Sequence, residues 1–202
     1  MTARFRRRGG SVVARFTVAE AGVLERVVQE TVLLLGGEVS AGGGRGEPGG
    51  SDAAEADDAA AADPFGDLAD LDRPPPEPPD DPALARLLPD GYRDDPQAAA
   101  ELRRLTEASL RAAKIGQARR LLDDLPAGGG AVSLDEEAAN AWLGALNDVR
   151  LALGTRLEIT EDTDIEAVVR ADPNGEDAYR FAIYDWLTFL QDTLVLALSG
   201  GR

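Results

Sequence analysis

SLDEEAANAWLGALNDVRLALGTRL, from Ser133 to Leu157, reads as a single amphipathic helix. Ser133 stands three residues before Glu136, the spacing at which a hydroxyl caps the first free amides and a carboxylate reaches back to the cap. Behind this start, Trp142, Leu146, Val149 and Leu153 recur at steps of four, three and four and form one apolar seam. Gly144, Asn147, Leu151 and Gly154 share a neighbouring strip of little bulk, where another helix can approach closely. A helix with one apolar seam and one smooth strip needs neighbours on both, which points to a helical bundle.

The flanking segments offer those neighbours. Towards the C-terminus, Thr163 with Glu166 predicts a short helix through Ala171, Asp172-Pro173-Asn174-Gly175 a turn, and Glu176 to Ser199 a last helix. Tyr179, Ile183, Trp186, Leu190 and Leu194 define one line on it, while Phe181, Leu187, Phe189, Val195 and Leu198 cover much of the rest. That makes it either central to the bundle or shared with a second copy in a homodimer. Towards the N-terminus, Pro126 and Gly128 to Gly130 break the chain. Before them a long helix begins at Asp95-Pro96, where Asp caps the free amides and Pro gives up no needed hydrogen bond. Leu102, Leu105, Ala108, Ser109 and Ala112 share one side of it and predict the buried face. Arg103, Arg104, Arg111 and Lys114 fall on the opposite side as a basic, solvent-facing stripe, and Gly116 should weaken the phase before Leu121. Pro82 to Pro89 reads as a short helical turn.

The first residues break the helical pattern. Phe5-Arg6-Arg7-Arg8 and Val12-Val13-Ala14-Arg15-Phe16 flank Gly9-Gly10-Ser11 and predict a β-hairpin. Thr17 and Glu20 then form a capping-box spacing for a helix from Val18. Its stripe of Leu24, Val27, Val28, Thr31, Leu34 and Leu35 ends at Gly36-Gly37. Eight of the fifteen residues from Gly36 to Gly50 are Gly, an Ala/Asp/Glu tract follows, and Arg73 to Pro79 is Pro-rich. Phe65 is the single aromatic residue between Thr17 and Gly91, too little apolar surface to offset the ordering entropy. The predicted fold is therefore mainly α: a small helical bundle with a short N-terminal β-hairpin, interrupted by a long disordered acidic Gly/Pro-rich linker. Hairpin and first helix occupy 1–36 and pack on the bundle, the linker 37–81, and the bundle 82–202.

The 202 residues carry 37 Asp and Glu against 21 Lys and Arg, a net charge of −16. Sixteen of those acids lie between Glu38 and Asp95 against four Arg, so that stretch holds −12 and the remainder only −4. No Cys and no His occur, which removes disulfides, thiolate metal sites, cysteine nucleophiles and the commonest general base. Acidic pairs such as Asp123/Asp124, Glu136/Glu137 and Glu161/Asp162/Asp164 read as caps and solvated faces, because adjacent helical acids point about 100° apart. Gly42-Gly43-Gly44-Arg45-Gly46 lacks the Lys-Ser/Thr of a phosphate loop. The residues thus predict no enzyme, no catalytic group, no metal and no cofactor. The apolar run Val12 to Ala14 is too short for a signal peptide, and Asp185 and Asp192 argue against a membrane span, so a cytoplasmic protein is expected. What remains for function is basic: Arg6, Arg7 and Arg8 in the hairpin, with Arg4 and Arg15 near them, and Arg103, Arg104, Arg111 and Lys114 on the long helix. Either promoter DNA or an acidic protein surface would meet such groups, and the low pI of about 4.3 weighs against nucleic acid as the main partner.

The string Trp142 to Leu157, together with Arg86 to Pro96, Glu101 to Glu107 and Tyr184 to Asp192, resembles segments of an actinobacterial family long filed as a domain of unknown function. The Phe5 to Leu35 opening extends the likeness over the chain apart from the linker. That family is since named after an oxidative-stress regulator of actinomycetes, and its motif falls here on Trp142, Asn147, Asp148, Arg150, Gly154, Arg156, Trp186 and Gln191. The resemblance implies a non-enzymatic, transcription-associated regulator of the oxidative-stress response that contacts an alternative sigma factor and, more weakly, promoter DNA. Redox sensing in such regulators is attributed to a reversible cysteine pair, which this sequence cannot form. The alternative is a structural or dimerisation module associated with Clp-type proteolysis machinery, near whose adaptor genes of the family tend to lie.

Overall fold

A computed structural model describes residues 3–38, 75–160, 163–173 and 175–200. The hairpin forms as predicted: β1 (Arg6–Arg8) and β2 (Ser11–Phe16) pair antiparallel, Arg6 opposite Val13 and Arg8 opposite Ser11. A left-handed Gly9 at φ 62° closes the turn. Thr17 caps α1 (Val18–Leu34) through the full capping box. Leu24, Val28, Thr31 and Leu35 of its predicted stripe are buried, and Gly36 follows at φ 77°.

A third strand, β3 (Gly130–Leu134), corrects the reading of Ser133 as a helix cap. Ser133 pairs with Val13 of β2, and Asp135 caps the next helix instead, its carboxylate accepting the Ala138 amide at 2.8 Å. The strand joins residues more than a hundred positions apart, a pairing that local spacing does not announce. Gly129 makes the approach feasible. At φ 71° it lies so close to the start of α1 that a Cβ would sit 2.7 Å from the Val18 amide nitrogen.

The remaining helices are α2 (Pro82–Leu87), α3 (Pro96–Asp124), α4 (Glu136–Arg156), α5 (Ile165–Ala171) and α6 (Glu176–Ser199). Asp81 and Asp95 cap α2 and α3, each accepting two backbone amides ahead of a Pro. α4 lies at the centre, packed by α1, α2, α3 and α6. Trp142, Leu146 and Val149 of its seam are buried, and Leu153 packs against them. The smooth strip is used by three neighbours: Gly144 faces the Gln117 side chain of α3, Leu151 packs beside α2, and Gly154 faces Tyr184 of α6. The sheet covers the near end of this core. Phe5, Phe16 and Trp142 form an aromatic cluster with ring centroids 5.7–6.1 Å apart, and the Trp142 indole N–H donates to Asp124 at 3.1 Å.

Two helices turn differently from their predicted faces. α3 runs unbroken through Gly116 and buries Ala99, Arg103, Ala118 and Leu121, while Leu105 is 56% exposed and Ala108, Ser109 and Ala112 face outward. α6 buries Ala178, Phe181, Leu187, Leu190, Leu194 and Ala197, so Tyr179, assigned to its inner line, is instead 53% exposed. α6 is long and apolar enough to cross a membrane, yet Leu187, Leu190 and Leu194 lie in this protein's own core. Most of the expected disordered linker, residues 39–74, lies outside the described residues.

Candidate macromolecular interface

Strand alternation sorts the N-terminal residues onto two sides. Ala3, Phe5, Val12, Ala14 and Phe16 point into the core. Arg4, Arg6, Arg8, Val13 and Arg15 fall on the outer side, and β3 continues that side with Ala131 and Ser133. The result is a groove of about 840 Å³, with cations around small side chains and Phe189 of α6 as one wall. Arg7 is exposed but alternates to the other side, opposite Val12. None of Arg4, Arg6, Arg7, Arg8 and Arg15 makes an ion pair among the described residues.

Two anchors hold this strand in place. The Glu20 carboxylate accepts the Ala3 and Thr17 amides, each at 2.8 Å. Partial burial pushes the Glu20 carboxyl up, but those amides and the Thr17 hydroxyl outweigh it and hold it below its ordinary value. The Phe5 amide donates to Thr193 Oγ1 at 3.2 Å, which lays β1 alongside α6.

The other predicted cations do not join this face. The Arg103 guanidinium is buried, donating to Asp90 and to the Pro76 carbonyl. Arg104 pairs with Glu101 one turn back, and its side chain is 6% exposed. Arg111 donates to the Leu35 carbonyl at 2.9 Å and to Glu107 at 2.6 Å. Lys114 donates to the buried Asp148 at 2.6 Å. The predicted basic stripe of α3 is thus largely an inner face. With Arg119 on the Glu38 carbonyl, Arg111 and Arg103 hold the chain on either side of residues 39–74 against one helix.

The motif residues serve the packing of α4 and α6. Trp142 and Asp148 are buried, Asn147 accepts from Gln191 at 3.5 Å, and Gly154 lets Tyr184 approach. Trp186 packs on the core rim, and its indole nitrogen, like Arg150 Nε, is buried without a hydrogen-bond partner among the described residues. Arg156 is exposed and lies 3.8 Å from Asp81. Among the described residues no group of three or more Asp or Glu is placed to hold a metal. The chemistry present on the outer sheet side is that of guanidinium forks, which match carboxylate or phosphate oxygens in pairs. Arg4 and Arg15 were legible as its members from i±2 alternation. Phe189 and the third strand were not.

Residues 1–198 match the model of a family described as a domain of unknown function, DUF2017. The chain belongs to the DUF2017 family. Among its relatives, the oxidative stress regulators AosR of Mycobacterium bovis and Mycobacterium tuberculosis are each 45% identical over 137 residues, which is 61% of either chain. The putative oxidative stress regulator AosR of Mycobacterium leprae is 44% identical over 133 residues, 59% of either chain. The chain thus spans about three fifths of the length of these curated relatives. No solved structure matches this DUF2017 chain.

Proposed function

We propose that this DUF2017 protein is a cytoplasmic, non-enzymatic regulator of the oxidative-stress response that works by contact with an alternative sigma factor. The relatives named as oxidative stress regulators support the regulatory role. The observation that carries the contact is the row of guanidinium groups at Arg4, Arg6, Arg8 and Arg15 on one sheet side, which have no ion-pair partner among the described residues. Its apolar floor and Phe189 wall favour a protein surface with acidic and apolar side chains over a phosphate backbone, and the net charge of −16 opposes duplex DNA. Within these 202 residues there is no Cys, so they form no thiol switch of their own.

The test is titration of the purified protein with the cognate sigma factor and, separately, promoter DNA, at about 50 and 200 mM salt. The sigma factor should bind, more weakly at the higher salt, and the double reversal Arg6→Glu/Arg8→Glu should weaken binding at least ~10-fold, about 1.4 kcal/mol. A complex that forms only with DNA, no complex with either, or one indifferent to the reversal overturns this reading.

A further inference from the structure

The arginine groove has a counterpart on the same molecule. Asp185, Phe189, Asp192 and Leu196 recur at steps of four, three and four and form an exposed ridge along α6, on the side away from Leu187, Leu190 and Leu194. Phe189 is 42% and Leu196 70% exposed. Neither Asp185 nor Asp192 makes an ion pair among the described residues, and the groove arginines are likewise unpaired. Phe189 belongs to both features, as the wall of the groove and a member of the ridge. One continuous surface therefore carries, unpaired among the described residues, cations on one flank and carboxylates on the other, with exposed apolar side chains between them.

We propose that this surface is self-complementary and joins two copies of the chain about a twofold axis, with the α6 ridge of each seated in the sheet groove of the other. In such an isologous contact every pairing occurs twice. Asp185 and Asp192 of one protomer meet the unpaired Arg4, Arg6, Arg8 and Arg15 of its partner, where planar forks grip carboxylates. Phe189 and Leu196 then cover Val13 and Ala131, which explains why large apolar side chains stand outward on a helix whose inner side is already packed. The pairing stands independently of the sigma-factor reading. Because an acidic partner would need the same arginines, self-association and partner binding exclude one another.

The experiment is sedimentation of the full chain over roughly 1–200 μM at low salt, with circular dichroism confirming the helices of each variant. The native chain should pass from monomer to dimer. Arg6→Glu/Arg8→Glu and Asp185→Arg/Asp192→Arg should each remain monomeric, whereas an equimolar mixture of the two should dimerise, since every reversed flank then meets its opposite. The fourfold variant should also dimerise. If a reversal disturbs the helices, Arg6→Gln/Arg8→Gln and Asp185→Asn/Asp192→Asn replace the charge swap and should each weaken the dimer at least ~10-fold. A native chain that stays monomeric at the highest concentration, a mixture that stays monomeric, or a dimer indifferent to both sets overturns the proposal. The Asp185→Arg/Asp192→Arg chain retains every groove arginine. Its binding to the sigma factor therefore reports on the function proposed above whatever the oligomeric outcome.

Discussion

Lys114→Met separates the two ways of reading α3, as a docking stripe or as an inner face. The ammonium lies 2.6 Å from the Asp148 carboxylate, with the Asp148 side chain 5% exposed and that of Lys114 18%. Burial pushes the Asp148 carboxyl up, the Lys114 hydrogen bond and charge pull it back, and it stays above its ordinary value. Met keeps the packing of the stem but leaves that carboxylate without its cation. Breaking a fully buried pair in this way costs about 3–5 kcal/mol. Lys114 retains some water, so about 2–3 kcal/mol is expected here, a fall of roughly 4–12 °C in Tm for a chain of this size. Asp148→Asn should cost less, and the double variant should fall short of the sum by ~1 kcal/mol or more, the signature of contact. The pH dependence has a definite sign. The folded chain holds the Asp148 proton more tightly than the unfolded chain does. This residue's unfavourable contribution is therefore absent below its unfolded pKa and complete above the raised folded one. Losing Lys114 raises the folded value further, so the Lys114→Met deficit should shrink as pH falls towards about 4. Urea denaturation followed by circular dichroism at neutral and acid pH measures both. If Lys114→Met is as stable as the native chain and the cycle is additive, Lys114 is free for a partner and the inner-face reading is refuted.

Two further outcomes follow from the packing. Arg103 and Arg119 hold opposite ends of the chain around residues 39–74 and stand sixteen residues apart on α3, ~24 Å at 1.5 Å per residue. A Gly/Ser replacement of about ten residues, ~33 Å when extended, should keep the helical signal and shift Tm by less than ~3 °C, under about 1 kcal/mol. The segment holds nine acids and two Arg, so the net charge would move from −16 to −9; loss of cooperative unfolding would contradict this arrangement of anchors. Gly129→Ala puts a Cβ 2.7 Å from the Val18 nitrogen and 2.8 Å from the Thr17 carbonyl carbon at positive φ, and should cost about 2–4 kcal/mol. Gly128→Ala meets nothing within 4 Å and should be near neutral; equal urea midpoints for the two would deny the close approach.

What was legible in the sequence was whatever neighbours in the chain decide. Thr17 with Glu20, Asp95 with Pro96, the Gly9 turn and the Trp142 seam each depend on residues within a turn or two, and each is found where expected. Ser133 shows the limit. Its spacing to Glu136 mimics a capping box, but Val132 and Leu134 alternate inward and pair with β2, so a distant strand overrides the local signal. α3 was turned the wrong way because apolar count favours the Leu102 and Leu105 side. The true inner face is made of Ala together with Arg and Lys stems, whose charges end on Asp90, Asp148 and carbonyls from other elements. Half of the candidate interface was visible as hairpin arginines; that they share one side with Phe189 is a product of the tertiary fold.

The hydrogen bond from Phe5 to Thr193 spans 188 residues, and the Phe5 ring meets Trp142 edge to face. During synthesis the first strand therefore leaves the ribosome with only β2 and α1 to rest on, and its partners in α4 and then α6 emerge more than a hundred residues later. Contacts of such separation close slowly. The arginine-bearing surface is thus incomplete until α6 has been made. A nascent or C-terminally shortened polypeptide would display the same four cations on a hairpin without the Phe189 wall and the third strand that complete their groove.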